Sequence, residues 1–206
     1  MDQDIIFNKL NVSRETLSRL NHYKDLVLSE NKKINLISSK SAEKFMERHI
    51  IDCVQIIDFI DINSKTCTDL GSGAGLPGIA LAILLSERNV DIKMNLYEKS
   101  YRKSNFLKLA SSELKLKVEI FQLDVFKEKN LHSGSILARA FKPLPLILDL
   151  IDKNFQKYSN LIIFMGKNGK EVLKNTFKEW DFEYKEKESV TSNDSFILNI
   201  KNIKKK

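Results

Sequence analysis

Apolar positions in the first sixty residues recur at helical spacing. A first helix starts at Arg14 behind Ser13, a hydroxyl suited to capping, and carries Leu17, Leu20, Leu26 and Val27. A second is predicted after Ser41, carrying Phe45, Ile50, Val54, Ile57 and Ile60. Between them Lys32-Lys33-Ile34-Asn35-Leu36-Ile37 reads as a turn and a short apolar stretch. Asp61-Ile62-Asn63-Ser64 breaks the pattern, so residues 1–63 are expected to form a helical cap and 64–206 a core.

From residue 66 the period alternates. Strands are predicted over 66–70, 92–97, 118–123, 135–138 and 161–165. Helices are predicted over 77–86, with a proline in the first turn, over 101–114, after Pro143 around Leu146, Ile147 and Leu150, and from about Lys170 to Trp180. Runs at 182–188 and 195–200 follow, joined by a turn at Thr191-Ser192-Asn193-Asp194. Strands alternating with helices make an α/β fold, a doubly wound, mostly parallel sheet. The last two runs have no helix between them, so they pair as an antiparallel C-terminal hairpin and bring the sheet to seven strands.

Composition narrows the setting. The longest apolar run, Leu76 to Leu85, is about ten residues and too short for a bilayer, so no membrane is expected. The opening MDQDII is acidic where an export signal would be basic. Cys53 and Cys67 sit in apolar stretches with no metal-ligand spacing, which fits a reduced, cytoplasmic protein without a metal. The net charge is +7 and mostly lysine, with Lys204-Lys205-Lys206 closing the chain. That excess reads either as compositional bias or as a salt-dependent attraction to phosphate.

The candidate chemistry is concentrated in Asp69-Leu70-Gly71-Ser72-Gly73-Ala74-Gly75-Leu76-Pro77-Gly78, which holds four of the chain's seven glycines. Glycine allows a sharp turn after a strand and lets a ligand approach the main chain closely. The helix that follows aims free N–H groups and a positive dipole end at that ligand. Asp69, Gly71, Gly73 and Gly75 complete an acid-x-Gly-x-Gly-x-Gly turn of the kind that holds S-adenosylmethionine, the acid facing the cofactor's ammonium. Gly73, Gly75 and Gly78 also fit the dinucleotide form Gly-x-Gly-x-x-Gly, which leaves Gly71 unexplained and keeps a nicotinamide-dependent oxidoreductase open. Glu98 ends the second strand, where an acid accepts from ribose hydroxyls in either case. Asp124 ends the third and would face an adenine amino group, with the N–H groups of Val125 or Phe126 toward the ring.

The turn ending Gly-Leu-Pro-Gly, with Ile34-Asn35-Leu36, Arg48-His49-Ile50-Ile51-Asp52 and Arg139-Ala140-Phe141, resembles the bacterial 16S rRNA guanine-N7 methyltransferases, the glucose-inhibited division protein B family, over nearly the whole chain. The sequence departs from that pattern at Ala138, where the family has serine, and at Glu30 or a neighbour, where its first helix has a tryptophan. A third departure is Met165-Gly166-Lys167-Asn168-Gly169, where a Lys-Gly pair is expected. The resemblance implies a Rossmann-like class I methyltransferase fold, S-adenosylmethionine as cofactor, and 16S ribosomal RNA or the small-subunit particle as partner of a monomeric enzyme. It implies that Gly71, Leu76, Asp124, Val125 and Arg139 meet the cofactor, and that Arg139 also reaches the acceptor nucleotide as the catalytic residue. Lys32, Lys33, Arg48, His49 and Lys167 are then expected on the RNA-binding side, with His49 and Asp52 alternatively anchoring the cap. His22 and His132 are expected at the surface, and Trp180 between helix and sheet. Guanine N7 carries a lone pair and no proton, so no general base is expected. An RNA-binding module without activity and a small-molecule methyltransferase remain as alternatives.

Overall fold

The computed structural model describes residues 12–206; the acidic opening MDQDII lies outside them. Helix α1 spans Arg14–Asn31, and the Ser13 side chain accepts from the Thr16 N–H as its cap. The expected second helix is instead four short pieces: α2 (Ser39–Ala42), a π-turn (Met46–Ile51), α3 (Asp52–Val54) and a 3-10 turn (Ile57–Phe59). Nearly every residue from His49 to Ile57 is buried, so this segment is enclosed on all sides and has no single amphipathic face.

The core runs β1 (Thr66–Leu70), α4 (Gly78–Glu87), β2 (Lys93–Tyr97), α5 (Tyr101–Glu113), β3 (Val118–Phe121), β4 (Leu131–His132) and β5 (Ser135–Ala138). It continues with α6 (Leu144–Asn154), β6 (Phe155–Lys157), β7 (Asn160–Met165), α7 (Gly169–Thr176), β8 (Trp180–Glu188) and β9 (Phe196–Lys205). The seven-stranded sheet has the order β3-β2-β1-β5-β7-β9-β8. Its first five strands are parallel, and β9 pairs antiparallel with both β7 and β8. The expected fold and the closing hairpin are both present. A second sheet of β4 and β6 is too short to leave a periodic signal.

The central strands are buried on both faces, hence their unbroken apolar runs. One apolar cluster joins the cap, α4 and α5 on one face of the sheet; the other joins α6, α7 and the hairpin on the opposite face. Trp180, expected to end a helix, opens β8: α7 stops at Thr176, and Trp180 and Phe182 alternate inward with charged neighbours outward. It is buried all the same, in the cluster shared by helix and sheet.

Candidate functional site

The site is built at the carboxyl ends of β1, β2, β3 and β5, the edge where open α/β sheets bind ligands. After β1 the chain turns through Gly71, Gly73 and Gly75, all with positive φ (67°, 57° and 90°). Non-glycine residues rarely adopt such angles. Asp69 is 1 % exposed. Its Oδ2 accepts from the Gly78 N–H at 3.0 Å and so caps α4, while Oδ1 is buried without a hydrogen-bond partner among the described residues. Burial pushes its carboxyl up to about 7, against the opposing pull of the Gly78 N–H.

Glu98 fastens the turn to the end of β2: Oε2 accepts from the Gly73 N–H at 2.9 Å and Oε1 from the Ser100 N–H at 2.8 Å. Asp124 accepts from the Phe126 N–H at 3.2 Å and caps the short turn Val125–Lys127. Gly71, Glu98, Asp124 and Val125 together line one cavity of about 430 Å³. Of the other expected cofactor residues, Gly75 and Leu76 are buried beneath the turn, and a Cβ on Gly75 would strike Ile79. A Cβ on Gly73 would meet only the Gly71 carbonyl, at 3.8 Å. Space for a ligand is therefore open in front of Gly73.

The apolar half of this cavity is formed by Tyr97, Phe126, Phe141 and Leu146, of which only the Phe126 N–H was expected to face a ligand. Tyr97 directly precedes Glu98 and Phe126 follows Asp124 by two, so adjacency to the acids was the available signal. Phe141 had none. Ala140 adopts φ 50°, a left-handed conformation, and carries Phe141 to a position where a Cβ on Gly71 would collide with its ring. Phe141 also lines a second cavity of about 630 Å³ reaching Phe164, Lys167 and Val172. The aromatic ring is a wall common to both spaces.

Arg139 follows Ala138, whose register partner is Leu70, and so emerges beside Gly71. It lines neither cavity. Its side chain turns toward the cap, where Nε donates to Asp52 Oδ2 at 3.0 Å and Nη2 to the Arg48 carbonyl at 2.9 Å. The Tyr23 hydroxyl holds the same cap to the glycine turn by donating to the Ala74 carbonyl at 2.6 Å. Of the expected RNA-facing residues, Lys32, Lys33, Arg48 and Lys167 are exposed. His49 is not: it is 8 % exposed, with Nδ1 at 3.3 Å from Arg139 Nη2. Burial, then the Arg139 charge, lowers its pKa to about 4, so the ring is neutral and turned inward. His22 and His132 are exposed, and Cys53 and Cys67 are buried free thiols. Among the described residues no group of three or more His, Cys, Asp or Glu is placed to hold a metal, and no helix is long and apolar enough to cross a membrane.

Asp69 makes a pH-dependent prediction. Its folded-state pKa is raised, so its contribution to stability is fully present below its unfolded value near 4 and is lost as pH rises through about 7. The Asp69→Asn variant should flatten that part of the stability profile. Chemical denaturation of both proteins at pH 5, 6, 7 and 8 checks this; parallel profiles would contradict it.

The family model described as rRNA small subunit methyltransferase G matches residues 16–200. The Pelagibacter ubique (strain HTCC1062) protein named "Ribosomal RNA small subunit methyltransferase G" is 52 % identical over 95 % of this chain and 93 % of its own. Among solved structures, an S-adenosylmethionine-dependent methyltransferase from Aquifex aeolicus superposes with a TM-score of 0.56 at 14 % identity, covering 84 % of this chain and 96 % of that one. M. capricolum TrmK, solved with S-adenosyl-homocysteine, superposes with a TM-score of 0.53 at 17 % identity, covering 72 % of this chain and 66 % of that one. These likenesses establish the class I methyltransferase fold, and they do not favour the nicotinamide reading or that of an inactive RNA-binding module. With its glycine turn, its acids at the ends of β2 and β3 and this match along nearly all of its described length, the chain belongs to the rRNA small subunit methyltransferase G family.

Proposed function

We propose that this protein transfers a methyl group from S-adenosylmethionine to N7 of a guanine in 16S ribosomal RNA. The observation that carries the reading is the convergence of Gly71, Glu98, Asp124 and Val125 on one cavity, beside a second that shares Ala140, Phe141 and Lys142 with it. The residues present suit the cofactor. Among the described residues Asp69 Oδ1 is a buried acceptor without a donor, the open face at Gly73 lets a ligand approach the main chain, and both Glu98 oxygens retain a lone pair after accepting from the backbone. Asp69 would then receive the ammonium, Glu98 the ribose hydroxyls and Asp124 the adenine amino group, with the ring against Val125.

S-adenosylmethionine supplies a methyl already activated on sulfonium. The protein's contribution is orientation, holding the acceptor so that the N7 lone pair points along the line of transfer. Neutral N7 has no proton to lose. The neutral His49, whose Nδ1 faces Arg139, is accordingly not needed as a base. The second cavity, with Phe141 and Phe164 as flat surfaces and Lys167 at its edge, has the chemistry to take a base splayed from single-stranded RNA. Lys32, Lys33 and Arg48 would meet phosphates.

The same reading has the chain acting as a monomer in the cytoplasm. Support comes from the outer strand β8, whose exposed Asp181, Glu183, Lys185, Glu186 and Glu188 discourage pairing with another sheet edge.

RNA affinity should fall steeply with salt, and Lys167→Ala should lower the slope of log K against log salt by about one. An unchanged slope removes Lys167 from the interface. The decisive test of function is incubation with labelled cofactor and small-subunit RNA from a strain lacking the gene, followed by mapping of the modified base. Label at guanine N7 is expected; label on another atom, or none, overturns the proposal.

A further inference from the structure

Asp52 connects three segments distant in sequence. Oδ2 takes Nε of Arg139, while Oδ1 accepts from the Thr191 hydroxyl at 2.9 Å and from Gln55 Nε2 at 3.1 Å. Thr191 lies in the turn between β8 and β9. That turn is tied down by the Val190 N–H donating to Gln55 Oε1 at 3.0 Å and by Lys187 Nζ donating to the Gln55 carbonyl at 2.6 Å. The carboxylate is 15 % exposed and the guanidinium 18 %.

The π-turn supplies the other two partners. At its end the Asp52 N–H closes a tight three-residue bond to the His49 carbonyl, and the Arg48 carbonyl accepts from Arg139 Nη2. His49 adds Nδ1 to the same amino group. For that nitrogen to accept, the ring proton must sit on Nε2, which is buried without a partner among the described residues. A buried N–H left unpaired is unfavourable, so the contact to Arg139 is kept at a cost. One edge of the guanidinium, Nε and Nη2, is thus fully engaged. Nη1 is uncommitted among the described residues, on a side chain rooted beside Gly71.

The geometry points to Asp52 and His49 as positioning residues for Arg139: they lock one edge of its guanidinium and leave Nη1 for an oxyanion of the bound substrates. That oxyanion is either the cofactor's carboxylate or an RNA phosphate, and the inference rests on the methyl-transfer reading above.

The test uses the full chain as wild type, Asp52→Asn, Arg139→Lys and the double variant, with Thr191→Val as a milder change that keeps the Asp52 charge. Titrations with S-adenosyl-homocysteine and with small-subunit RNA are run separately, beside the NMR resonance of the Arg139 Nε–H. In wild type that resonance should be sharp and displaced from free arginine; in Asp52→Asn it should move toward the free position while the backbone amides of the sheet stay in place. Asp52→Asn should lose about 10-fold or more in one affinity, on the scale of a misplaced binding group, with Thr191→Val losing less in the same one. Loss for the nucleoside assigns Nη1 to the carboxylate, and loss for RNA alone assigns it to phosphate. The double variant should be within about twofold of Arg139→Lys, because the two residues act as one unit. Losses that multiply in the double variant, or both affinities unchanged in Asp52→Asn, overturn the inference. Because every readout is binding or spectroscopy, wild-type protein that binds both ligands and transfers no methyl would defeat the functional reading and leave this one standing.

Discussion

Placing asparagine at Gly73 should weaken S-adenosylmethionine binding by about 100-fold, equivalent to about 2.8 kcal/mol, while leaving the fold close to its original stability. The substitution separates two roles of glycine that a bulkier change would confound. Gly73 has φ 57°, and asparagine is among the few residues that accept that conformation. An added Cβ meets nothing nearer than the Gly71 carbonyl at 3.8 Å, and the N–H donated to Glu98 is retained. The new side chain therefore projects into the space proposed for the ligand without disturbing the protein. At Gly71 and Gly75 the same change would drive a Cβ into Phe141 and Ile79, so loss of binding there would be mixed with loss of packing. Calorimetric titration beside thermal unfolding gives the answer; an affinity within threefold of wild type would show that no ligand lies over Gly73.

Replacing Arg139 with alanine should harm both fold and function. It strands the mostly buried carboxylate of Asp52 and removes the donor from the Arg48 carbonyl and from His49 Nδ1. Breaking such a pair by deleting one partner costs about 3 kcal/mol. For a chain of this size that corresponds to a fall of roughly 6–12 °C in the unfolding midpoint. Methyl transfer should fall by about 100-fold or more at temperatures where the variant remains folded. Arg139→Lys should restore part of the stability and little of the activity, since an ammonium cannot engage Asp52, Arg48 and His49 as a fork does. An alanine variant as stable as wild type would mean that the Asp52 pair contributes nothing to joining cap and core.

Much of this architecture could be read in advance. The boundaries of β1 and β5 emerged as expected, and the other strands of the main sheet were shortened or lengthened at their ends, because each is a local pattern of apolar residues bounded by turn formers. The glycine turn and the acids after β2 and β3 were equally visible, since each is fixed by its place relative to a strand end. The hairpin followed from the lack of a helix between its runs.

Where the reading went astray, the deciding contacts were remote. Periodicity predicted one helix after Ser41, and the structure has four pieces there, with the π-turn Met46–Ile51 running directly into Asp52–Val54. His49, expected either on the RNA side or as an anchor of the cap, is buried and faces Arg139, 90 residues further along. Asp52 meets Arg139 across 87 positions and Thr191 across 139. Neither separation leaves a trace in local spacing. Phe141 became a wall between two cavities through the backbone angle of Ala140, a residue type that does not advertise a left-handed turn.

The amino-acid order by itself thus determined the sheet, its closing hairpin and the glycine-rich strand-turn-helix, because these follow from short-range hydrogen bonding and from which face of each element is apolar. Tertiary structure alone decided which way Arg139 points, that His49 is buried and neutral, and that Phe141 lines both cavities. Those outcomes depend on chain segments that meet only when the cap closes against the sheet.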